Sequence, residues 1–346
     1  MKFMNRRSSL AAIALAAGTL LGGQAMAQET FTLRLHQMLP AQATIPSKAL
    51  LPWAQKVEKE SGGRIKIQMY NTMQLGGTPP QLFDQARDGV VDITWTVLGY
   101  TPGRFPKTEV FELPFITTSP EASSRAIQEY VETYAADEFK GVKLIAVHTH
   151  GPGLFHTKNP ITKLEDLKGM KIRGGSRIIN NMLTKLGATP VGMPVPAVTE
   201  ALSKGVLDGS TIPWEVVPAL KVQEIVHNHT TFFGPNGLYN STFAVSMNRG
   251  AYDKLPADLK KVIDDNSGIE TAAMFGRAMA GGDERGRGLA EKAGNKIVAL
   301  DEAETKRWRE VAASVETDWV QEVKAKGIDG EKLAAAARAL IAKYSK

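Results

Sequence analysis

The stretch Leu164-Glu-Asp-Leu-Lys-Gly-Met-Lys-Ile-Arg-Gly-Gly-Ser176 decides how this chain is read. A short helical turn, Leu164–Lys168, is followed by a strand, Gly169–Arg173, that runs out in two glycines. Ser176 then supplies a helix N-cap hydroxyl, and the helix it opens runs to Leu186. Ala188–Met193 leads into the next strand, and Thr199–Leu207 is a further helix closed by Asp208-Gly209. Strand, helix, strand, helix at this spacing is the mark of a largely parallel sheet covered by helices.

The same rhythm extends upstream. Phe31–His36 alternates as a first strand, and a helix around Ser47–Glu60 stops at Ser61-Gly62-Gly63. Arg64–Tyr70 alternates again; Pro79-Pro80 opens a helix through Asp88, and Val90–Thr96 is a third strand. Pro120–Phe139 is helical and Val142–His148 is a strand with an apolar core. Downstream, Pro213 precedes a segment, Trp214–His227, that reads as a longer connecting helix, and Tyr239–Met247 is a strand that returns the chain to the first series. From about Ala251 the pattern is helical; Asp301 caps a stretch in which Trp308, Val311, Ala312, Val315, Trp319 and Val323 share one face and read as core. No repeat or low-complexity linker separates the two series. They are expected to form two hinged α/β domains with a cleft between them, each a mixed or parallel sheet flanked by helices. Residues 28–150 with 240–280 make domain I, and 151–239 with 281–346 make domain II.

The first 27 residues have a different character. Lys2, Arg6 and Arg7 precede an apolar run, Leu10–Leu21, and Ala25-Met26-Ala27 gives a small-x-small cleavage pattern. That run is too short, and too rich in Ala and Gly, for a stable span. Residues 1–27 therefore read as a signal peptide for periplasmic export. Its removal takes the formal charge from +6 to +3 and leaves 319 of 346 residues, enough for two domains. A mildly basic balance with no dense Lys/Arg run speaks against nucleic-acid binding. The absence of cysteine removes thiolate chemistry, disulfides and cysteine metal sites together.

No nucleophile elbow, Walker loop, zinc helix or dinucleotide fingerprint appears, so no catalytic residue or cofactor is expected. His148-Thr-His150 and His227-Asn-His229 place pairs of histidines on shared strand faces. Without a third ligand they read as structural, and no metal is expected. Arg173 is the residue that stands out. It ends a strand just before a helix start, where ligands of open α/β sheets sit. Its planar fork suits a carboxylate, and the helix opened by Ser176 adds amide donors. On the residues alone, a surface arginine or an internal ion pair would look the same.

The chain resembles the substrate-binding subunits of TRAP (tripartite ATP-independent periplasmic, DctP type) transporters. The resemblance rests on Leu164–Arg173, Leu186-Gly-Ala-Thr-Pro190 and Glu200-Ala-Leu-Ser-Lys-Gly-Val-Leu-Asp-Gly209. Gln74-Leu-Gly-Gly77 and Gly89-Val-Val-Asp-Ile93 carry it upstream. It implies a two-domain flytrap, acting as a monomer, that delivers a small organic acid to membrane permease subunits driven by an ion gradient, with Arg173 on the ligand carboxylate. Against sialate-type members the chain departs in three places. A second arginine is replaced at about Gly153, an asparagine by Ile212, and an acidic residue by Val97. Trp95, Phe155 and Trp214 remain near the cleft, with His36, Ser176 and Arg177 as further candidate contacts. Unpaired polar groups in such a site would cost about 1–3 kcal/mol each, so the expected ligand is a monocarboxylate with an apolar or aromatic body. The alternatives are a sugar acid, a 2-oxo acid or a dicarboxylate, a binding protein for an ATP-driven importer or sensor kinase, and an exported enzyme using a histidine as base.

Overall fold

The computed structural model describes residues 29–346, so the signal peptide read at 1–27 lies outside the described residues. In chain order come β1 (Phe31–His36), α1 (Leu51–Glu60), β2 (Ile65–Tyr70), α2 (Leu82–Arg87), β3 (Ile93–Val97), α3 (Pro120–Tyr130) and β4 (Val142–Thr149). The chain then enters a second sheet. There it makes β5 (Leu154–Thr157), β6 (Lys171–Gly174), α4 (Arg177–Lys185), β7 (Thr189–Gly192), α5 (Val198–Ser203), β8 (Gly209–Ile212), α6 (Val217–Leu220) and β9 (Asn228–Thr231). It returns as β10 (Thr242–Asn248), α7 (Arg249–Asp253), α8 (Ala257–Asp265) and α9 (Ile269–Lys292). It then adds β11 (Lys296–Ala299) to the second sheet and ends on α10 (Glu302–Ala312), α11 (Ser314–Lys324) and α12 (Gly330–Tyr344).

The first sheet has the order β2-β1-β3-β10-β4, the second β11-β9-β5-β8-β6-β7. Both are mixed. β10 runs antiparallel to β3 and β4, and β5 runs antiparallel to β8 and β9, because each enters its sheet from the other one. β3 is buried along its whole length, as expected of a central strand covered on both faces. It starts at Ile93 rather than Val90: Val90 is exposed, and Asp92 is instead tied to the Arg34 backbone and side chain. α4 buries Ile178, Ile179, Met182 and Leu183 on one face, and the Ser176 hydroxyl accepts from the Ile179 amide as its cap.

Three expectations need correction. Trp214–His227 is not a long helix: Pro218 lacks a donor and Lys221 adopts a left-handed φ of 54°, so only short turns and α6 form. The long helix is α9, of 24 residues. The C-terminal region is not wholly helical, since Lys296–Ala299 pairs parallel with β9. Finally, Val311 is exposed while Trp308, Ala312, Val315, Trp319 and Val323 are buried. The helix restarts after Ala313 and shifts the phase of the stripe.

α9 spans the molecule. It packs along α3, where a Cβ on Gly276 would lie 2.6 Å from the Pro120 carbonyl oxygen, and against the turn at Trp214. The C-terminal helices touch both sheets' flanks. The Trp319 indole donates to the Pro106 carbonyl at 3.1 Å, and Lys343 and Tyr344 bond Glu129 on α3. Among the described residues no helix is long and apolar enough to cross a membrane.

Candidate functional site

β6 carries Arg173 inward, and only 4% of that residue is exposed. Its Nε donates to the Met193 carbonyl at 2.9 Å and its Nη1 to the Thr211 carbonyl at 2.9 Å. These two bonds anchor the guanidinium to the loop after β7 and to β8. Gly175 permits the pose: a Cβ there would lie 3.1 Å from both terminal nitrogens. Among the described residues no carboxylate forms an ion pair with Arg173, whereas its neighbour Arg177 pairs with both Glu109 and Glu322. A buried guanidinium without a counter-ion is costly, and its terminal nitrogens could hold an anion.

Such an anion would enter a cavity that Arg173 lines. Its apolar wall comes from Met38, Leu39, Trp95, Val97, Val195, Ile212, Val216 and Phe243. Trp95 and Phe243, from the paired strands β3 and β10, stack with centroids 5.3 Å apart and 5° between planes. His148 continues the stack at 4.9 Å from Phe243. Burial pushes His148 down to about 3, so its Nε2 is free to accept from the Trp95 indole at 2.9 Å. Trp95 thus presents an aromatic face with its polar edge already satisfied.

The polar wall comes from Tyr100, His150, Thr211, Glu215, Tyr239 and Ser241. The Tyr100 hydroxyl lies beside Arg173 and accepts from the Val195 amide at 2.9 Å. The Tyr239 hydroxyl, next to Arg173 and Thr211, is buried without a well-directed partner. Arg173 is the one cation in this lining. At Gly153 a Cβ would lie 2.4 Å from the Tyr239 carbonyl oxygen, so this backbone admits no second arginine there.

Other candidates from the sequence are placed differently. Ile212 lines the cavity, but Phe155 faces away and packs on Phe232 and Trp308. Trp214 leans on His156 and His229 and lines a separate depression with Asp283 and Arg287. His36 is fully buried. Its Nδ1 donates to Gln85 and its Nε2 accepts from the Leu75 amide, which ties Gln74-Leu-Gly-Gly77 to β1. Ser176 caps α4 and, with Arg177, lines a neighbouring recess rather than the cavity.

His227 and His229 have structural partners. Asn295 donates to His229, His229 to His156, and His156 to the Ile212 carbonyl at 3.1 Å, a relay that holds Ile212 against the cavity. Burial holds His156 far below its usual range and pushes His229 down to about 4, so both rings stay neutral. Among the described residues no three His, Asp or Glu side chains cluster as metal ligands.

Behind the cavity, Asp283 of α9 accepts from the Glu215 amide at 2.8 Å. Burial first, and then the Asp283 charge, push Glu215 up to about 8; burial pushes Asp283 up to about 7. A carboxyl raised in the folded state stabilises fully below its ordinary value of 4.5 and loses that contribution as pH climbs toward 8. Glu215→Gln is neutral at every pH, so its melting temperature relative to the parent should rise by at least about 5 °C between pH 5 and pH 8.5. Melting both proteins at the two pH values checks this, and an equal difference at both would refute the shift.

Tyr239, Ser241 and Phe243 escaped the sequence reading although their alternate spacing was a legible signal. Tyr100 and Glu215 carried none.

The model of bacterial extracellular solute-binding protein family 7 (DctP) matches residues 36–322. A TRAP solute-binding protein from Rhodoferax ferrireducens T118, solved with copurified benzoate, is 50% identical with a TM-score of 0.90. That match covers 91% of this chain and 99% of the other. A marine metagenome TRAP solute-binding protein specific for aromatic acid ligands, solved with 3-hydroxybenzoate, is 48% identical with a TM-score of 0.91, covering 92% and 100%. A TRAP periplasmic solute-binding protein from Bordetella bronchiseptica, solved with (R)- and (S)-mandelate, is 34% identical with a TM-score of 0.83, covering 90% and 99%. On the fold, the strand arginine and these matches together, the chain belongs to the DctP family of bacterial extracellular solute-binding proteins, the binding subunits of TRAP transporters.

Proposed function

We propose that this protein captures an aromatic or otherwise apolar monocarboxylate in the periplasm and hands it to a TRAP permease. The observation that carries the reading is Arg173, buried without a counter-ion at the end of a cavity walled by Trp95, Phe243 and aliphatic side chains. The bound benzoate, 3-hydroxybenzoate and mandelate of the similar proteins support the same class. The carboxylate sits on Arg173, with the Tyr239 hydroxyl as a second donor, and the ring lies against Trp95 and Ile212. A dicarboxylate would bring a second anion to a lining with no second cation. A sugar acid would leave hydroxyls against Val97, Ile212 and Val216.

The two sheets are the two lobes, with the domain boundaries read above, and they close on the ligand as a monomer after a signal peptide has directed export. Water leaves the closed cleft, which strengthens the ion pair, while lobe ordering and desolvation keep the affinity moderate. The ligand leaves unchanged, as transport requires, and no catalytic role is assigned to any residue.

Titration calorimetry with benzoate, phenylacetate, cyclohexanecarboxylate, succinate and a sialic acid tests this. The first three are expected to bind and the last two to bind at least about a hundredfold more weakly, because an unpaired charge or several unpaired hydroxyls must be buried. A preference for succinate or the sugar acid would overturn the reading, as would conversion of any bound acid detected by mass spectrometry.

A further inference from the structure

His150 follows β4 and lines the cavity with 1% of its surface exposed. Its Nδ1 lies 2.5 Å from the Gly151 carbonyl oxygen. A carbonyl only accepts, so Nδ1 carries the ring proton and Nε2 is a bare acceptor. Burial, and after it the positive charge of Arg173, push the ring down to about 4, so it does not gain a second proton at neutral pH. Nε2 is buried and has no hydrogen-bond partner.

Among the described residues no neighbouring side chain donates to it in the empty protein. Tyr239 and Phe243 approach the ring edge-on, at 5.5 Å and 6.1 Å between centroids. The Asn240 amide nitrogen donates instead to Thr117 and to the His150 carbonyl. The contrast with His148 is informative, since its Nε2 is matched by the Trp95 indole. A carboxylate cannot satisfy His150 either, because at neutral pH it has no proton to donate.

We propose that His150 is a specificity-determining residue that accepts a hydrogen bond from a hydroxyl of the ligand, so that the preferred substrates are hydroxylated aromatic acids. This rests on the reading of the cavity as an aromatic-acid site. The carboxylate is held at Arg173, and the donor hydroxyl turns toward Nε2. A site with a buried acceptor discriminates against an analogue that lacks the donor, because that analogue leaves the acceptor unmatched.

The test pairs each of 2-, 3- and 4-hydroxybenzoate with its fluoro isostere, which fills the same space without a donor, and mandelate with phenylacetate. Affinities are measured by titration calorimetry on the purified protein. At least one hydroxylated acid is expected to bind about tenfold more tightly than its partner. In His150→Phe that ratio is expected to fall toward one, and in His150→Gln, whose amide oxygen can accept, to recover in part. If aromatic acids bind but no hydroxyl gains over fluorine, the role of His150 is overturned while the aromatic-acid reading stands. Persistence of the ratio in His150→Phe overturns it too. If no aromatic acid binds, the underlying reading is the one that fails, and this proposal with it. Should His150→Phe not melt cooperatively, the parent's hydroxyl-to-fluorine ratio decides alone.

Discussion

Arg173→Ala is expected to lower the affinity for benzoate at least about thirtyfold while leaving the melting temperature of the unliganded protein within about 5 °C of the parent. The two halves have one cause. Truncating one partner of a buried charge pair costs about 2–5 kcal/mol of binding, equivalent to about thirty- to several-thousand-fold. In the empty protein the same change removes an uncompensated buried cation, which favours folding. Against that stand the Met193 and Thr211 carbonyls, which lose their donors at about 1 kcal/mol each, and the space left by the side chain. These terms oppose one another, so stability changes little. Calorimetry and thermal melting read both halves. Retained affinity would remove Arg173 from the site, and a large fall in melting temperature would make it a structural residue. Arg173→Lys should restore only part of the binding, because one ammonium cannot hold both carbonyls and still present a planar fork.

The second large effect belongs to a residue that touches no ligand. Gly286→Ala is expected to lower the melting temperature by up to about 8 °C and to weaken binding. A Cβ at that position would lie 2.0 Å from the Trp214 carbonyl oxygen and 2.7 Å from its carbon, both backbone atoms that no rotamer change can move. Overpacking of this kind costs about 1–3 kcal/mol or more, which exceeds the helix propensity gained, about 1 kcal/mol. A chain of this size loses roughly 2–4 °C for each kcal/mol. The strained turn leads directly into Glu215 and Val216, which line the cavity, so its displacement reaches the ligand. Gly281→Ala is the control: it lies on the same helix with nothing within 4 Å of its Cβ, and should hold or raise the melting temperature. If both variants behave alike, close packing of α9 on the Trp214 turn is not what the glycine serves.

These two positions show how unevenly the molecule was written into its sequence. Arg173 was legible because its signal is local: a strand ending in two glycines and a Ser176 cap. The capped helix and the β6 strand formed as that pattern requires. The stripe through Trp308 and Trp319 was legible for the same reason, and failed only at Val311, where the helix restarts. The Trp214–His227 segment misled because its apolar spacing suits a helix, while Pro218 and the left-handed Lys221 break it. Gly286 carried no signal at all, since its constraint is imposed by a carbonyl 72 positions away in the chain.

By itself, then, the sequence determined the α/β alternation, the two series, the place of Arg173 at a strand end before a capped helix, and the family, all of which rest on short-range patterns of strand, glycine and cap. Only the tertiary structure decided what surrounds Arg173. Inserting β10 antiparallel between β3 and β4 sets Phe243 on Trp95, and the backbone of Tyr239 over Gly153 closes off a second cation. The crossings between sheets bring Tyr100, His150 and Glu215 to the same cavity. Pairing across a sheet and packing of a helix on a turn join residues far apart in the chain, and no local pattern specifies which of them will meet.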